Sequence, residues 1–173
     1  MRAMWVVVGV VVAVVAIATY VTWLANRVDR LHARAQAALL ALDGRSVRRA
    51  VAATDLSERL NLPEIRQRAA AVLALDAEDD PALVEPGLRS EAENHLTRVL
   101  RAAAGHSDPD ALGEVIEASR RLALARQVHS DQVRDALAVR RRPLVRLLRL
   151  ARRHPTPAFF DIDDPTLEPP RAA

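Results

Sequence analysis

The 173-residue chain contains no cysteine and no lysine. Without cysteine there is no disulfide framework, no thiolate nucleophile and no Cys-ligated zinc, and this residue type says nothing of the redox compartment. Aromatic residues are almost absent too: Trp5, Tyr20, Trp23, Phe159 and Phe160 are the whole set. Between Leu24 and Ala158 any core must be packed from Leu, Val, Ile and Ala. Helix bundles are built that way, whereas sandwiches and barrels use aromatic and β-branched residues at alternating positions. Glycine totals five, with no Gly-rich phosphate loop and no serine in a nucleophile elbow. The histidines, His32, His95, His106, His129 and His154, make no His-Glu-x-x-His motif. A di-iron bundle needs Glu-x-x-His on two helices, but Ala92 stands three residues before His95 and Arg126 three before His129. Glu91 and His95 share a helix face, a spacing that arises often by chance. Neither catalysis nor a metal or other cofactor is expected.

The basic residues, all 25 of them arginine, leave a net charge of only +3. They are unevenly placed. Asp76 to Glu93 holds seven acids and one arginine, whereas Arg140, Arg141, Arg142, Arg146, Arg149, Arg152 and Arg153 share a stretch with no acid. No aromatic interleaves that basic cluster, so base stacking is not available and a nucleic-acid partner is not expected.

What the chain has in plenty is an uncharged apolar run. Ala3 to Ala25 carries no charged side chain, and Trp5 and Trp23 stand near its two ends. In a helix those tryptophans lie about 27 Å apart, close to the roughly 30 Å of a bilayer's hydrocarbon core. Indole rings favour that interface, and Tyr20, Arg27 and Arg30 fall at the same end as Trp23. The competing reading is a cleaved signal peptide, with Ala16-Ile17-Ala18 as the cleavage site. The run outlasts a typical signal h-region, and its basic flank is the single Arg2, so an uncleaved anchor over 1–25 is the expectation. Arg27, Arg30, Arg34, Arg48 and Arg49 outnumber Arg2 across it, which predicts a cytoplasmic domain in a cell (inner or plasma) membrane protein of single-pass topology.

Beyond the anchor the pattern is helical. Leu24, Val28, Leu31, Ala35, Ala38 and Leu42 form a heptad-like, coiled-coil-type seam, with no Pro or Gly between it and the span. One helix is therefore expected to leave the bilayer and become the first helix of the domain. Gly44 costs about 1 kcal/mol relative to Ala inside a helix and is the place for a kink or break, after which Val47, Val51, Leu56 and Leu60 are the predicted apolar stripe. Pro63 opens a short second helix that ends before Asp79-Asp80-Pro81, and Asp79 to Leu88 reads as a loop. Ser90 and Glu93 have capping-box spacing ahead of a third helix ending at Gly105. Asp108-Pro109-Asp110 opens a fourth, with Leu112, Val115, Ile116, Ser119, Leu122, Ala123, Arg126, Ser130, Val133 and Leu137 on its stripe. The fold class expected is all-α: a transmembrane helix continuing into an antiparallel long-helix bundle over 26–153. A largely disordered, Pro-rich acidic tail is expected over 154–173.

Two polar features stand out on that scheme. Arg126 on the fourth helix falls level with Leu40 to Asp43 of the first, so an interhelical Arg126–Asp43 pair is predicted as a register device. The alternative is an arginine snorkelling from the seam edge. The segment Arg140–Arg153 reads as an amphipathic helix with Leu144, Leu147, Leu148 and Ala151 opposite its arginines. It is expected either to dock on anionic lipid or to cap the bundle core with its arginines solvated.

Several of these residues resemble the LemA family of bacterial membrane proteins. They are Asn26 after the span, Ala38 and Leu42, the pair Arg48-Arg49, the stretch Ala125-Arg126-Gln127-Val128-His129-Ser130-Asp131-Gln132-Val133, and Pro157-Ala158-Phe159-Phe160-Asp161. His129-Ser130 stands where that family has Tyr-Asn, and Ala50 to Asp55 replaces its Ile-Pro-Asn-Leu-Val stretch. The resemblance implies an N-terminal anchor and an antiparallel helical bundle, and it carries no chemistry over to this chain. The functional expectation is a scaffold or interaction module with an unidentified protein partner. Two other classes make different demands. A membrane-associated hydrolase or metal-dependent enzyme would carry bound metal. A nucleic-acid binder would lose affinity with salt and on changing Arg141, Arg142 and Arg146.

Overall fold

The computed structural model describes residues 1–77, 86–105 and 109–167. Of the loop predicted from Asp79 to Leu88, 79–85 lies outside the described residues, as do His106, the Asp108 cap and 168–173, whereas 86–88 is already helical. Every regular element among the described residues is helical: α1 (Arg2–Arg59), α2 (Pro63–Asp76), α3 (Pro86–Ala104), α4 (Pro109–Arg140), α5 (Pro143–Leu147) and a closing 3-10 turn, η1 (Leu150–Arg153).

The expected continuity of the first helix is observed. α1 is 58 residues long and passes through Gly44 without a break. It ends where the chain changes hand: Asn61 takes φ 51° and the Leu62 N–H reaches back to the Ser57 carbonyl at 2.8 Å. That is the Schellman arrangement, and Asn tolerates its left-handed position. Pro63 then occupies the first turn of α2, where its missing N–H costs nothing.

The chain divides into two compact units, Met1–Gln36 with Gln132–Ala158, and Ala37–Asp131 with Phe159–Ala173. The single bundle domain expected over 26–153 is thus shared between them. In the first unit Leu24, Val28 and Leu31 of α1 pack with Val139 of α4, Val145 of α5, and Leu150 and Ala151 of η1. In the second, one core joins Ala50, Ala53 and Leu56 of α1 with Ile65 and Ala69 of α2, Leu96 and Leu100 of α3, and Leu112 and Val115 of α4. Side-chain contacts give the register there. Arg59 meets the Ala111 carbonyl at 3.2 Å and Arg49 meets Ser119 at 3.0 Å, so α1 and α4 run in opposite directions. Asp43 pairs with Arg89, and Arg49 with Glu93 and Thr97, so α1 and α3 run the same way.

Two expectations fail within this unit. The stripe of α1 does not move to Val47 and Val51 after Gly44. Val51 and Leu60 are exposed, and the buried face is Ser46, Arg49, Ala50, Ala53 and Leu56, the direct continuation of the Leu42 seam. The described part of the tail, 154–167, is also not free. Ile162 is buried with Leu42 and Leu122, Leu167 enters the main core, and the Asp163 N–H bonds Asn94 Oδ1 at 2.7 Å. Proline density signalled absence of helix, and an extended segment with two well-placed aliphatic anchors satisfies that signal while staying ordered.

Candidate functional site

The centre of the second unit is polar. Arg49, brought onto the seam by heptad spacing from Leu42, is fully buried. Its Nη1 donates to Glu93 Oε2 at 2.7 Å, its Nη2 to Thr97 Oγ1 at 2.9 Å, and its Nε to Ser119 Oγ at 3.0 Å. The Ser46 hydroxyl donates to the other Glu93 oxygen, and the Thr97 hydroxyl donates to the Glu93 backbone carbonyl at 2.9 Å. Burial pulls the Arg49 guanidinium down from its ordinary pKa and the Glu93 carboxylate pushes it back up. Arginine stays charged in such a setting, so this is a buried ion pair with hydrogen-bond partners on three helices. Glu93 is therefore not the far half of a capping box. α3 begins at Pro86, which puts Ser90 and Glu93 inside the helix.

The predicted Arg126–Asp43 pair is replaced by another. Asp43 pairs with Arg89 of α3 at 3.4 Å, at the edge of a cavity of about 20 Å³ that also touches Ser46, Asp76 and Glu93. Burial raises the Asp43 pKa, Arg89 opposes the rise and Asp76 adds to it. A space of that size holds about one water. Arg126 is only half-buried and adds to the field that holds Asp164 down, a minor cause beside the Thr166 backbone hydrogen bond. The interhelical register falls instead to Arg49 and Glu93, because α3 and not only α4 borders α1 on this face. On α4, Arg126 and Ser130 are half-buried, and the buried polar residues are Ser119 and His129.

The first unit carries the residues read as membrane-interfacial. Trp5, Tyr20, Trp23 and the valines of α1 are exposed on every side of the helix up to Tyr20. This stretch is long and apolar enough to cross a membrane. Tyr20 and Trp23 stack at 6.0 Å, the Arg27 guanidinium lies 5.7 Å from the Trp23 ring, and Arg30 is exposed one turn on. Packing starts at Leu24, which α5 and η1 cover.

The basic segment is not the single amphipathic helix expected. α4 ends at Arg140, α5 is five residues long, and Arg149 sits in the left-handed region at φ 52° before η1 begins. Pro143 removes an N–H that helix continuation would need, so the chain turns there. The consequence is a different apolar face. Val145 and Ala151 are buried, whereas Leu144, Leu147 and Leu148 are exposed, so the predicted core-capping leucines do not cap the core. Arg140 is committed elsewhere in the unit. It donates to His32 Nε2 at 2.9 Å, to the His154 and Pro155 carbonyls, and to Thr156 Oγ1 at 3.2 Å. Arg141, Arg142, Arg146, Arg149, Arg152 and Arg153 are exposed.

His32 was not singled out from sequence, yet it is buried beneath this clasp. Its ring stacks on His154 at 4.6 Å, and His154 Nε2 lies 2.8 Å from Asp29 Oδ1. Nδ1 of His32 faces the Val28 carbonyl at 2.8 Å and must carry the proton, which leaves Nε2 as acceptor from Arg140. The neutral ring is thus fully matched. Burial lowers the His32 pKa, the Val28 hydrogen bond opposes that, and His154 and Arg140 add to the lowering. His129 in the second unit is lowered by burial alone, with no hydrogen-bond partner for Nδ1 among the described residues. A lowered histidine pKa means the unfolded chain binds more protons, so stability is full above about pH 6.5 and falls as pH drops below it. Thermal unfolding in detergent should shift downward between about pH 7 and 5. His129→Phe should flatten that dependence, and an unchanged pH slope in the variant would contradict the assignment.

Among the described residues no three His, Asp or Glu side chains gather as a metal site. Glu91 and His95 lie 3.7 Å apart on the surface of α3. Comparison with known protein families, with curated proteins and with solved structures gives no match.

Proposed function

We propose that the chain is a single-pass membrane protein whose helical domain is a scaffold or interaction module, of the LemA type in its anchor and antiparallel bundle. One observation carries this reading. Residues 3–20 of α1 carry no charge and are exposed all round, while the same helix is packed on one face from Leu24 onward. A helix that is apolar all round is stable only when something apolar surrounds it, and a bilayer matches its length. The cytoplasmic placement rests on the arginine excess after the span. The buried charges, Arg49 and Glu93, are engaged with each other and with hydroxyls, which suits groups that hold helices in register.

The full chain should sediment with membranes and resist an alkaline wash, and removal of residues 1–25 should release it. Recovery of the full chain in the alkaline supernatant would refute the anchor, as would a mature N-terminus near Thr19. Protease shaving of intact cells checks the orientation, and crosslinking from membranes identifies the partner.

A further inference from the structure

We propose that α5 and η1 form a second membrane contact, a collar at the foot of the anchor that binds the phosphate groups of anionic phospholipids. The proposal rests on the anchor reading above and adds to it a lipid site. Position is the first argument. Val145 and Ala151 pack on Leu24 and Val28, so the collar is held against the last turn of the uncharged run, beside Trp23 and Arg27. With the span in a bilayer, that is the headgroup level.

The composition of the outer face is the second. Leu147 is 76% exposed, with Leu144 and Leu148 beside it also exposed. Apolar side chains left out by a segment that buries Val145 and Ala151 match a segment half-sunk at an acyl boundary. Around them, a groove of about 440 Å³ is lined by Arg140, Arg146, Arg149 and Arg152 over a floor of Val145 and Ala151. The stretch 140–153 contributes no acid, and Arg140 is already held by His32, by the His154 and Pro155 carbonyls and by Thr156 Oγ1. The remaining arginines offer planar forks that suit phosphate oxygens. The third argument is local backbone. Arg149 holds the left-handed position that ends a helix, where glycine is ordinary. An arginine there carries strain, which fits a side chain wanted at that spot.

The absence of cysteine makes the test clean. A Leu147→Cys variant of the full chain, labelled with a fluorophore and reconstituted in vesicles, reports its depth through quenching by brominated lipids. Quenching of Trp5 and Trp23 in the same vesicles reports the anchor. With phosphatidylglycerol present the label should be quenched, and with phosphatidylcholine alone it should not. Changing Arg146, Arg149 and Arg152 together to Gln should lower the docked fraction at least about tenfold, since each arginine contributes separately near an anionic surface. A label that stays unquenched while the tryptophans are quenched would overturn the collar and leave the anchor standing. Equal quenching in both lipids would overturn the site for anionic phospholipid, since phosphatidylcholine carries a phosphate but no net charge. Unquenched tryptophans would overturn the anchor, and the collar with it.

Discussion

Arg49→Met should cost the second unit about 3–5 kcal/mol, the usual penalty for removing one partner of a buried ion pair. The cause is less the lost attraction than what stays behind. Glu93 is buried, and its carboxylate would keep only the Ser46 hydroxyl while Thr97 and Ser119 lose their donor. Arg49→Lys should recover only part, because one ammonium nitrogen cannot occupy the separate Nε, Nη1 and Nη2 positions that meet Ser119, Glu93 and Thr97. The informative variant is the double one. Arg49→Met with Glu93→Met removes both charges together, and paired replacement of a buried ion pair by apolar residues is often close to neutral. Denaturant unfolding of the parent, of Arg49→Met, of Glu93→Met and of the double variant in detergent, followed by helix signal, measures the coupling. A single Arg49→Met variant within about 0.5 kcal/mol of the parent would show that the pair has no such role.

Ending the chain after Ala158 should destabilise the second unit by several kcal/mol, although it removes only the segment without helix. Ile162 and Leu167 are 5% and 3% exposed; loss of the first uncovers Leu42 and Leu122, and loss of the second opens the main core. Ile162→Ala and Leu167→Ala should each cost about 2–5 kcal/mol, as buried aliphatic truncations do. A second set of ties goes with them: the Arg101 bond to the Asp164 carbonyl and the Asn94 bond to the Asp163 N–H. Thermal unfolding of the truncated and point variants tests this. A tail that was merely solvated would leave all three unfolding midpoints unchanged.

Much of the helical plan was legible because local rules dominate it. The seam from Leu24 to Leu42 is buried or half-buried at each position, Pro63 opens α2, and α1 is continuous because nothing between the span and Leu42 can stop a helix. Arg49 was legible in one sense and overlooked in another. Counting seven from Leu42 lands on Arg49 and seven more on Leu56, but an arginine on a seam invites the view that the seam has moved. Only a partner from another helix reverses that view, and Glu93, 44 residues away, has no local mark that sets it apart from a capping residue. The same limit applied to Asp43. Arginine partners were available on two helices, and the choice of Arg89 over Arg126 depends on which helix borders that face of α1.

By itself, then, the order of residues determined the elements governed by neighbours within a turn or two: the apolar span, the helix starts at proline, the seam, and the clustering of arginines at 140–153. Tertiary structure alone decided which buried polar groups meet, that the proline-rich tail is seated by Ile162 and Leu167, and that Val145 rather than Leu147 turns inward. The physical reason is range. Helix propensity and periodicity act over about four residues, whereas desolvating a charge or an aliphatic side chain depends on whatever distant segment arrives to cover it.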